Sequence, residues 1–211
     1  MKILDPSVTF RWVTPDADAE IASAARLCYQ SDESGKSDQQ MLEHIIKLGH
    51  LSVVEHGSAS YQVVADRGWT HEAVRSRIGV AYSQESTRYC NYTKERLGGE
   101  IKVIPMLDGL NVVQKDRRRW LYEHMERVYR EEIAEGIKPQ QARDNLPTCL
   151  KTEIRMTFTF RAWMHFFELR CAPAAHPQMQ KVAKIIFEDL AARSLTLRIW
   201  AREQPLFAKY F

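Results

Sequence analysis

The sequence lacks a strong charge of either sign and any long apolar run. Its 211 residues include 30 Lys and Arg against 27 Asp and Glu, a formal net charge of +3 that is too small to favour nucleic acid as a partner. No stretch approaches the roughly 18 uncharged residues that a membrane span needs, and the first residues lack the apolar run of a signal peptide. We therefore expect a cytoplasmic protein that binds neither membranes nor nucleic acid.

The cysteines are too few and too scattered to predict a metal site or a disulfide framework. They form no Cys-x-x-Cys pair and have no histidine at metal-ligand spacing, so we predict no metal and reduced thiols. The four positions are Cys28, Cys90, Cys149 and Cys171.

The composition is typical of one soluble globular domain, which we predict over residues 1–211. Hydrophobic residues make up 45% of the chain and charged residues 27%. Long helical patterns flank a few short strands, without a regular βαβ rhythm or a Gly-x-Gly-x-x-Gly loop. The predicted class is α+β, with a small mixed or antiparallel sheet flanked by long helices.

Residue periodicity predicts the main elements. Residues 153–160 alternate strictly between polar and apolar side chains, which predicts a half-buried strand. Ser37 and Gln40 form a capping box at the start of a helix that ends at Gly49. Apolar spacing predicts a long amphipathic helix over residues 110–135, with an apolar stripe formed by Leu110, Val113, Leu121, Met125 and Val128. A short helix is predicted over residues 70–78. The chain beyond residue 192 is predicted to be a short aromatic tail.

A cluster of arginines lies in the middle of the chain. Arg75, Arg77 and Arg88 lie within fifteen residues, together with a hydroxyl and a polar pair. Because a guanidinium group donates to two phosphate oxygens at once, such a segment suits an anionic ligand. The same residues are also typical of a solvated turn, and residue type alone does not separate the two. The run at residues 117–119 favours a solvated helix face, since three neighbours span most of a helical turn.

Three further polar positions lie at a predicted junction of strand and helix. Arg161, His165 and Glu168 share one helical face, which could be plain surface or part of a site. A connector before the second strand carries His50 and His56, which by themselves are weak evidence for a ligand.

The arginine cluster resembles the defining motif of the flavin-dependent thymidylate synthases. That motif is Arg-x-Arg, a spacer of seven or eight residues, and Ser-x-Arg-Tyr; here it is residues 75–77, spacer 78–85 and residues 86–89. Other segments resemble the same family in the same order and cover most of positions 40–180. They are residues 49–56, 142–147, 151–170 and 174–179.

The resemblance implies a site for dUMP and a site for FAD. The implied dUMP contacts are Glu72, Arg75, Gln84, Glu85, Ser86, Thr87, Arg88, Arg143 and Arg170. The implied FAD contacts are His50, Ser52, Arg75, Ser76, Arg77, Gln84, Thr159, Arg161 and His165. Arg170 is also the implied catalytic residue, because it matches the arginine that favours the ionised uracil ring. A positioned guanidinium can stabilise negative charge that develops on that ring.

The implied reaction is the reductive methylation of dUMP to dTMP. Methylenetetrahydrofolate is the implied carbon donor, and NADPH is implied to reduce the FAD, which supplies the hydride chemistry. The family also implies a homotetramer whose sites are shared between subunits.

Two departures from the family pattern leave alternatives open. The family usually has His between the two arginines, whereas this chain has Ser76, which leaves flavin affinity and rate open. The spacer is at the long end of the family range, so the alignment of residues 78–85 with the family motif is defined only to within one residue. One rival is therefore a degenerate relative that binds ligands with weak or no activity. A nucleic-acid-binding module and a cysteine-dependent thymidylate synthase are less supported, because the chain has neither a repeated basic and aromatic pattern nor a recognisable nucleophilic cysteine.

Overall fold

The computed structural model describes residues 1–29 and 35–210. Within these ranges the chain forms strands and helices in the predicted α+β mixture. The strands are β1 (Lys2–Ile3), β2 (Ser7–Val13), β3 (Ser58–Asp66), β4 (Val80–Gln84), β5 (Lys102–Val103) and β6 (Lys151–Thr159). The helices are α1 (Ala17–Tyr29), α2 (Asp38–Lys47), α3 (Arg67–Ala73), α4 (Val112–Ala134), α5 (Pro139–Ala142), α6 (Phe160–Arg170), α7 (Pro177–Arg193) and α8 (Leu195–Arg202).

The strands form two sheets. One contains four strands in the order β2-β3-β6-β4, and the other is the parallel pair β1 and β5. The alternation predicted for β6 is confirmed, because Ile154, Met156 and Phe158 are buried whereas their polar neighbours are more exposed. The burial follows from the period of a strand, which sends successive side chains to opposite faces.

The chain divides into two compact units. Unit 1 comprises Met1–Ser7, Val63–Ala73 and Ser83–Ile154, and unit 2 comprises Val8–Gln62, Val74–Tyr82 and Arg155–Phe211. The assignment of residues 1–211 to a single domain stays a prediction.

Unit 1 has a small apolar core that includes Tyr92, Val103, Tyr129 and Leu150. Its long helix α4 is close to the predicted range and begins at a capping box. The predicted apolar stripe of α4 is partly wrong, however: Val113 is 68% exposed. Buried Glu126 lies on the inner face instead, because charge-assisted hydrogen bonds make its burial tolerable.

The Glu126 carboxylate accepts hydrogen bonds from the Ile101 amide at 3.1 Å and from Arg130 at 2.9 Å. It also pairs with the amino group of Met1 at 2.5 Å. Burial acts to raise the pKa of Glu126, but these donors outweigh burial and hold the pKa below its usual value. The run at residues 117–119 is exposed, as predicted for a solvated face.

Unit 2 has an aromatic core. Its fully buried rings are Tyr61, Phe158, Phe160, Trp163, Phe166, Phe167, Phe187 and Phe207. The Trp163 indole donates to the Ala59 carbonyl oxygen at 3.1 Å, which satisfies its polar atom inside the core. This core fixes helix α6 against β3.

Helix α8 shows that the predicted tail beyond residue 192 was wrong. The Asp18 carboxylate, distant in sequence, accepts hydrogen bonds from the Leu195 amide at 2.8 Å and the Thr196 amide at 2.9 Å. Ser194 also caps the helix, accepting from the Leu197 amide at 3.2 Å. These bonds satisfy donors that a helix start leaves unpaired, so the final residues fold as a helix.

Helix α3 begins and ends earlier than the predicted helix over residues 70–78. The Asp66 carboxylate accepts from the Trp69 amide at 2.7 Å, while the amides of Arg67 and Gly68 donate to carbonyl oxygens of unit 1. These bonds start the helix at Arg67, and it ends at Ala73. None of the helices in the described part of the chain is long and apolar enough to cross a membrane.

Candidate functional site

The predicted site residues are divided between the two units. Those in unit 1 are Glu72, Gln84, Glu85, Ser86, Thr87, Arg88 and Arg143. Those in unit 2 are His50, Ser52, Arg75, Ser76, Arg77, Thr159, Arg161, His165 and Arg170.

Gln84 and Glu85 are held by unit 1 at the end of β4. The Gln84 amide group donates to the Thr70 hydroxyl at 3.0 Å and the Thr152 hydroxyl at 3.3 Å. The Glu85 amide donates to the Glu153 carbonyl oxygen at 2.9 Å, and the Glu85 carboxylate pairs with Lys151 at 3.1 Å. Residues 84–88, all implied dUMP contacts, form what we call the predicted nucleotide loop. Its start is therefore fixed through both backbone and side chains.

A tight turn follows Glu85. The amides of Tyr89 and Cys90 donate to the Ser86 carbonyl oxygen at 3.2 and 2.9 Å. Thr87 is buried, whereas Arg88 is exposed with its guanidinium 5.3 Å from the Tyr89 ring centre. The turn thus presents Arg88 to solvent while its own backbone is hydrogen-bonded.

Unit 1 contains a cavity of about 400 Å³ that brings two of the predicted residues together. Thr87 and Arg143, which come from separate motif segments, both line it. Its other lining residues are Arg67, His71, Asp144, Leu146, Pro147, Thr148 and Leu150. Several cationic or hydrogen-bonding groups around one concave space suit an anion such as phosphate.

Sequence reasoning missed Arg67 and His71. Arg67 and His71 are four positions apart in sequence and therefore lie on one face of α3. This spacing indicates a shared site once the helix is known to begin at Arg67. The predicted helix began at residue 70, which excluded Arg67 from that face.

In unit 2, residues 75–77 lie beyond the end of α3. Arg75 and Arg77 are exposed, and Ile78 is 88% exposed. The Ser76 hydroxyl is buried and has no hydrogen-bond partner in the described structure. This segment therefore offers two guanidinium groups, an apolar side chain and an unpaired hydroxyl.

Gly79 and Thr159 join this segment to the start of α6. The Thr159 amide donates to the Gly79 carbonyl oxygen at 2.9 Å, and the Thr159 hydroxyl accepts from the Ala162 amide at 3.3 Å. Gly79 has φ +69°, and a Cβ atom there would lie 2.7 Å from the Thr159 hydroxyl oxygen. Glycine is required by both the backbone angle and the close approach.

The polar face predicted on α6 lies at the surface of unit 2. Arg161 pairs with Glu55 at 2.8 Å, and His165 lies 3.8 Å from Glu168. All four of these side chains are more than 40% exposed, so these pairs contribute little to stability. His50 and Ser52 are also exposed.

Arg170, the implied catalytic residue, is the last residue of α6 and is partly buried. Burial raises the pKa of Tyr82 to about 12, while the side chain of Ser76 and the charge of Arg170 act to lower it. The structure therefore brings Arg170, Tyr82 and Ser76 together. Tyr82 lies within the spacer of the motif, and the resemblance implies no role for it in binding FAD or dUMP.

No group of three or more His, Cys, Asp and Glu side chains placed to hold a metal ion is present in residues 1–29 and 35–210. The donors near the predicted site are guanidinium groups, hydroxyls and amides, which bind anions and nucleotides.

Comparisons with known proteins agree with the implied family. The family model for thymidylate synthase complementing protein matches residues 11–194. A flavin-dependent thymidylate synthase of Geobacter sulfurreducens is 35% identical over 183 residues, which are 81% of this chain and 75% of that protein. A protein of the same name from Pyrococcus furiosus is 32% identical over 203 residues, covering 88% of this chain and 80% of that protein.

The fold is similar to that of a solved structure. The crystal structure of the UMP/dUMP methylase PolB from Streptomyces cacaoi, bound with 5-Br dUMP, matches with a TM-score of 0.77 and 21% identity. The match covers 95% of this chain and 96% of that one, which confirms the predicted fold class. The chain belongs to the thymidylate synthase complementing protein family, which includes the flavin-dependent thymidylate synthases.

Proposed function

We propose that the protein is a flavin-dependent thymidylate synthase that methylates dUMP to dTMP. The proposed carbon donor is methylenetetrahydrofolate, and the proposed redox partners are FAD and NADPH. The observation that carries the proposal is the basic cavity of unit 1, where Thr87 and Arg143 meet. Its volume of about 400 Å³ is in the range of small-molecule sites. Two relatives that are 35% and 32% identical to this chain over the aligned residues are named flavin-dependent thymidylate synthases.

Arg88 and Arg143 are the proposed phosphate ligands for dUMP. Both guanidinium groups are exposed and can donate two parallel hydrogen bonds to a phosphate. Arg170 is the proposed catalytic group, because its charge can stabilise negative charge on the uracil ring as the new bond forms at carbon 5.

The state of two cysteines supports a mechanism without a thiolate nucleophile. Burial raises the pKa of Cys171 to about 12 and raises that of Cys149 above its usual value. The thiolate is the nucleophilic form, so these two side chains are poorly suited to attack uracil. This is an argument against a cysteine-dependent thymidylate synthase.

The residues of unit 2 fit FAD. Arg75 and Arg77 can hold its diphosphate, and the unpaired hydroxyl of Ser76 is a buried polar group that a ligand could satisfy. Exposed Ile78 supplies apolar surface beside them. When bound, FAD supplies the hydride chemistry of the reaction.

The test is the release of tritium from carbon 5 of dUMP by purified protein with FAD, NADPH and methylenetetrahydrofolate. We expect yellow protein that releases tritium, and an Arg143→Ala variant with weaker dUMP binding. Arg119→Ala is the matched control, because it removes an equal charge from the exposed face of α4. A wild-type protein that binds neither FAD nor dUMP would overturn the proposal.

A degenerate relative is the second candidate, because Ser76 stands where the family usually has His. This candidate predicts that the wild type binds FAD and dUMP without releasing tritium. Turnover by a Ser76→His variant then separates a weakened site from a protein without the activity.

We also propose a cytoplasmic homotetramer with sites shared between subunits. The exposed side chains of Ile78 (88%) and Tyr89 (72%) lie within the motif, and apolar surface of this kind suits a second chain. The test mixes an Arg143→Ala chain with an Arg170→Ala chain. Recovery of activity in the mixture supports shared sites, and no recovery in a mixed oligomer contradicts them.

A further inference from the structure

The Tyr82 side chain is hydrogen-bonded to the segment that carries two of the motif arginines. Its hydroxyl donates to the backbone carbonyl oxygen of Ser76 at 3.1 Å. Ser76 lies between Arg75 and Arg77, so this bond acts on the centre of the arginine pair. The Ser76 hydroxyl has no hydrogen-bond partner of its own in the described structure. The bond from Tyr82 to the backbone carbonyl oxygen therefore restrains Ser76.

Tyr82 is itself firmly placed. It lies on β4 with its ring edge-on to Phe158, at 5.4 Å between ring centres and 88° between planes. Phe158 is fully buried in the aromatic core of unit 2. Burial raises the pKa of Tyr82 to about 12, so the hydroxyl keeps its proton at neutral pH and remains a donor.

A second bond holds the other end of the same segment. The Thr159 amide donates to the Gly79 carbonyl oxygen at 2.9 Å, and Thr159 begins the well-packed helix α6. Because α3 has ended at Ala73, residues 75–77 lie outside a regular helix. Their conformation therefore depends on bonds such as those from Tyr82 and Thr159.

We propose that Tyr82 is a positioning residue, whose hydroxyl holds residues 75–77 in the conformation that presents Arg75 and Arg77 to the flavin. The inference rests on the proposed function, since it assigns the ordered segment to FAD. Tyr82 acts through the backbone of Ser76.

The first test is cleavage by trypsin after Arg75 and Arg77 in protein freed of flavin. Tyr82→Phe keeps the ring and removes the hydroxyl, so we expect about tenfold faster cleavage at these two sites, the effect of losing one net hydrogen bond. Tyr61→Phe is the matched control. It removes another buried hydroxyl of unit 2, which donates to Asp189 at 2.7 Å, and we expect unchanged cleavage after Arg75 and Arg77.

The second test is FAD affinity, measured by fluorescence titration of variants that melt as cooperatively as the wild type. We expect Tyr82→Phe to weaken FAD binding about tenfold, the same factor as in the cleavage test.

Cleavage and FAD affinity within twofold of the wild type in Tyr82→Phe overturn the assignment of Tyr82. So does equal loss of affinity in the Tyr61→Phe control. If the wild type binds no FAD, the proposed function fails, and the cleavage rates still decide whether Tyr82 orders the segment. The two failures are therefore distinguishable.

Discussion

Lys151 on β6 holds the start of the predicted nucleotide loop, so we expect its removal to affect both stability and dUMP binding. Its ammonium group lies 3.1 Å from the Glu85 carboxylate and 2.6 Å from that of Glu153. Burial acts to lower the pKa of Lys151, but the two carboxylates outweigh burial and raise it. Lys151→Met removes the charge and keeps an apolar stem of similar length.

The magnitude follows from the exposure of the three side chains. Glu153 is 42% exposed, so water can solvate its charge after the change. Glu85 is only 14% exposed and loses its cation inside the protein. Breaking a buried pair costs about 3–5 kcal/mol, so for this partly exposed network we expect about 2–3 kcal/mol of unfolding free energy. A loss of that size lowers the melting temperature by roughly 5–10 °C in a chain of this length.

A double-mutant cycle measured by urea denaturation isolates the interaction free energy between Lys151 and Glu85. Glu85→Gln removes the charge that Lys151 compensates, so in that background Lys151→Met should cost at least about 1 kcal/mol less. Lys151→Arg keeps the cation and is the conservative control. Additive losses, within about 0.5 kcal/mol, would refute the reasoning, because independent sites add.

The same variant should weaken dUMP binding, because the turn of residues 86–88 follows directly from Glu85. We expect the less ordered loop to reduce the binding free energy of dUMP by about 1.4 kcal/mol, which corresponds to tenfold weaker binding. Calorimetric titration measures this change. Lys115→Met on the exposed face of α4 is the surface control. Unchanged affinity in Lys151→Met, together with the expected loss of stability, would limit Lys151 to a structural role.

Three further predictions concern residues of unit 2. Gly79→Ala should cost at least about 1 kcal/mol more unfolding free energy than Gly109→Ala, because both glycines have positive φ but only at Gly79 would a Cβ atom meet Thr159, at 2.7 Å. Equal losses in urea denaturation would contradict the contact. The pKa of Asp189 is held below its usual 3.8, since hydrogen bonds from Arg193 and Tyr61 outweigh burial. The difference in unfolding free energy between the wild type and Asp189→Asn should therefore be largest above about pH 4 and disappear as the pH falls through the folded-state pKa of Asp189. A difference that grows in acid would contradict this prediction. Asp18→Ala should cost about 2–4 kcal/mol in the same assay, because the charged cap takes several donors at the start of α8, and a loss under 1 kcal/mol would contradict this role.

Local patterns predicted the elements whose causes are local. The capping box of α2 is confirmed, with both hydrogen bonds between Ser37 and Gln40 present at 2.9 and 3.3 Å. The alternation of β6 was sufficient because one face of that strand is buried throughout. In both cases the deciding contacts lie within a few residues, or follow from burial of one face.

The misses have causes that are distant in sequence. Helix α8 begins where Asp18 supplies a cap from 176 residues away, at 2.9 Å to Ser194. Helix α3 begins at Arg67 because carbonyl oxygens of Thr148 and Leu150 accept its first amides. No window of the sequence shows these partners. The same shift hid Arg67 from the list of candidate cavity residues.

Strand β4 was missed for a different reason. Val80, Tyr82 and Gln84 are half-buried and alternate with exposed Ala81 and Ser83, so the period of a strand was present. The five residues lie within the spacer of the motif, residues 78–85. The motif is defined by its arginines and its Ser-x-Arg-Tyr end, although the residues between them have a structural function of their own.

Residues that hold the backbone and residues that can bind a ligand alternate along the motif. Gly79, Gln84 and Glu85 are hydrogen-bonded to their own units, whereas Arg77 and Arg88 are exposed. An arginine side chain gives up as much as about 2 kcal/mol of rotamer entropy when a ligand orders it. A backbone that is already fixed adds no further ordering cost, so more of the contact energy remains as affinity. Substitutions at the positions between the arginines should therefore change ligand affinity even where the replaced side chain contacts no ligand.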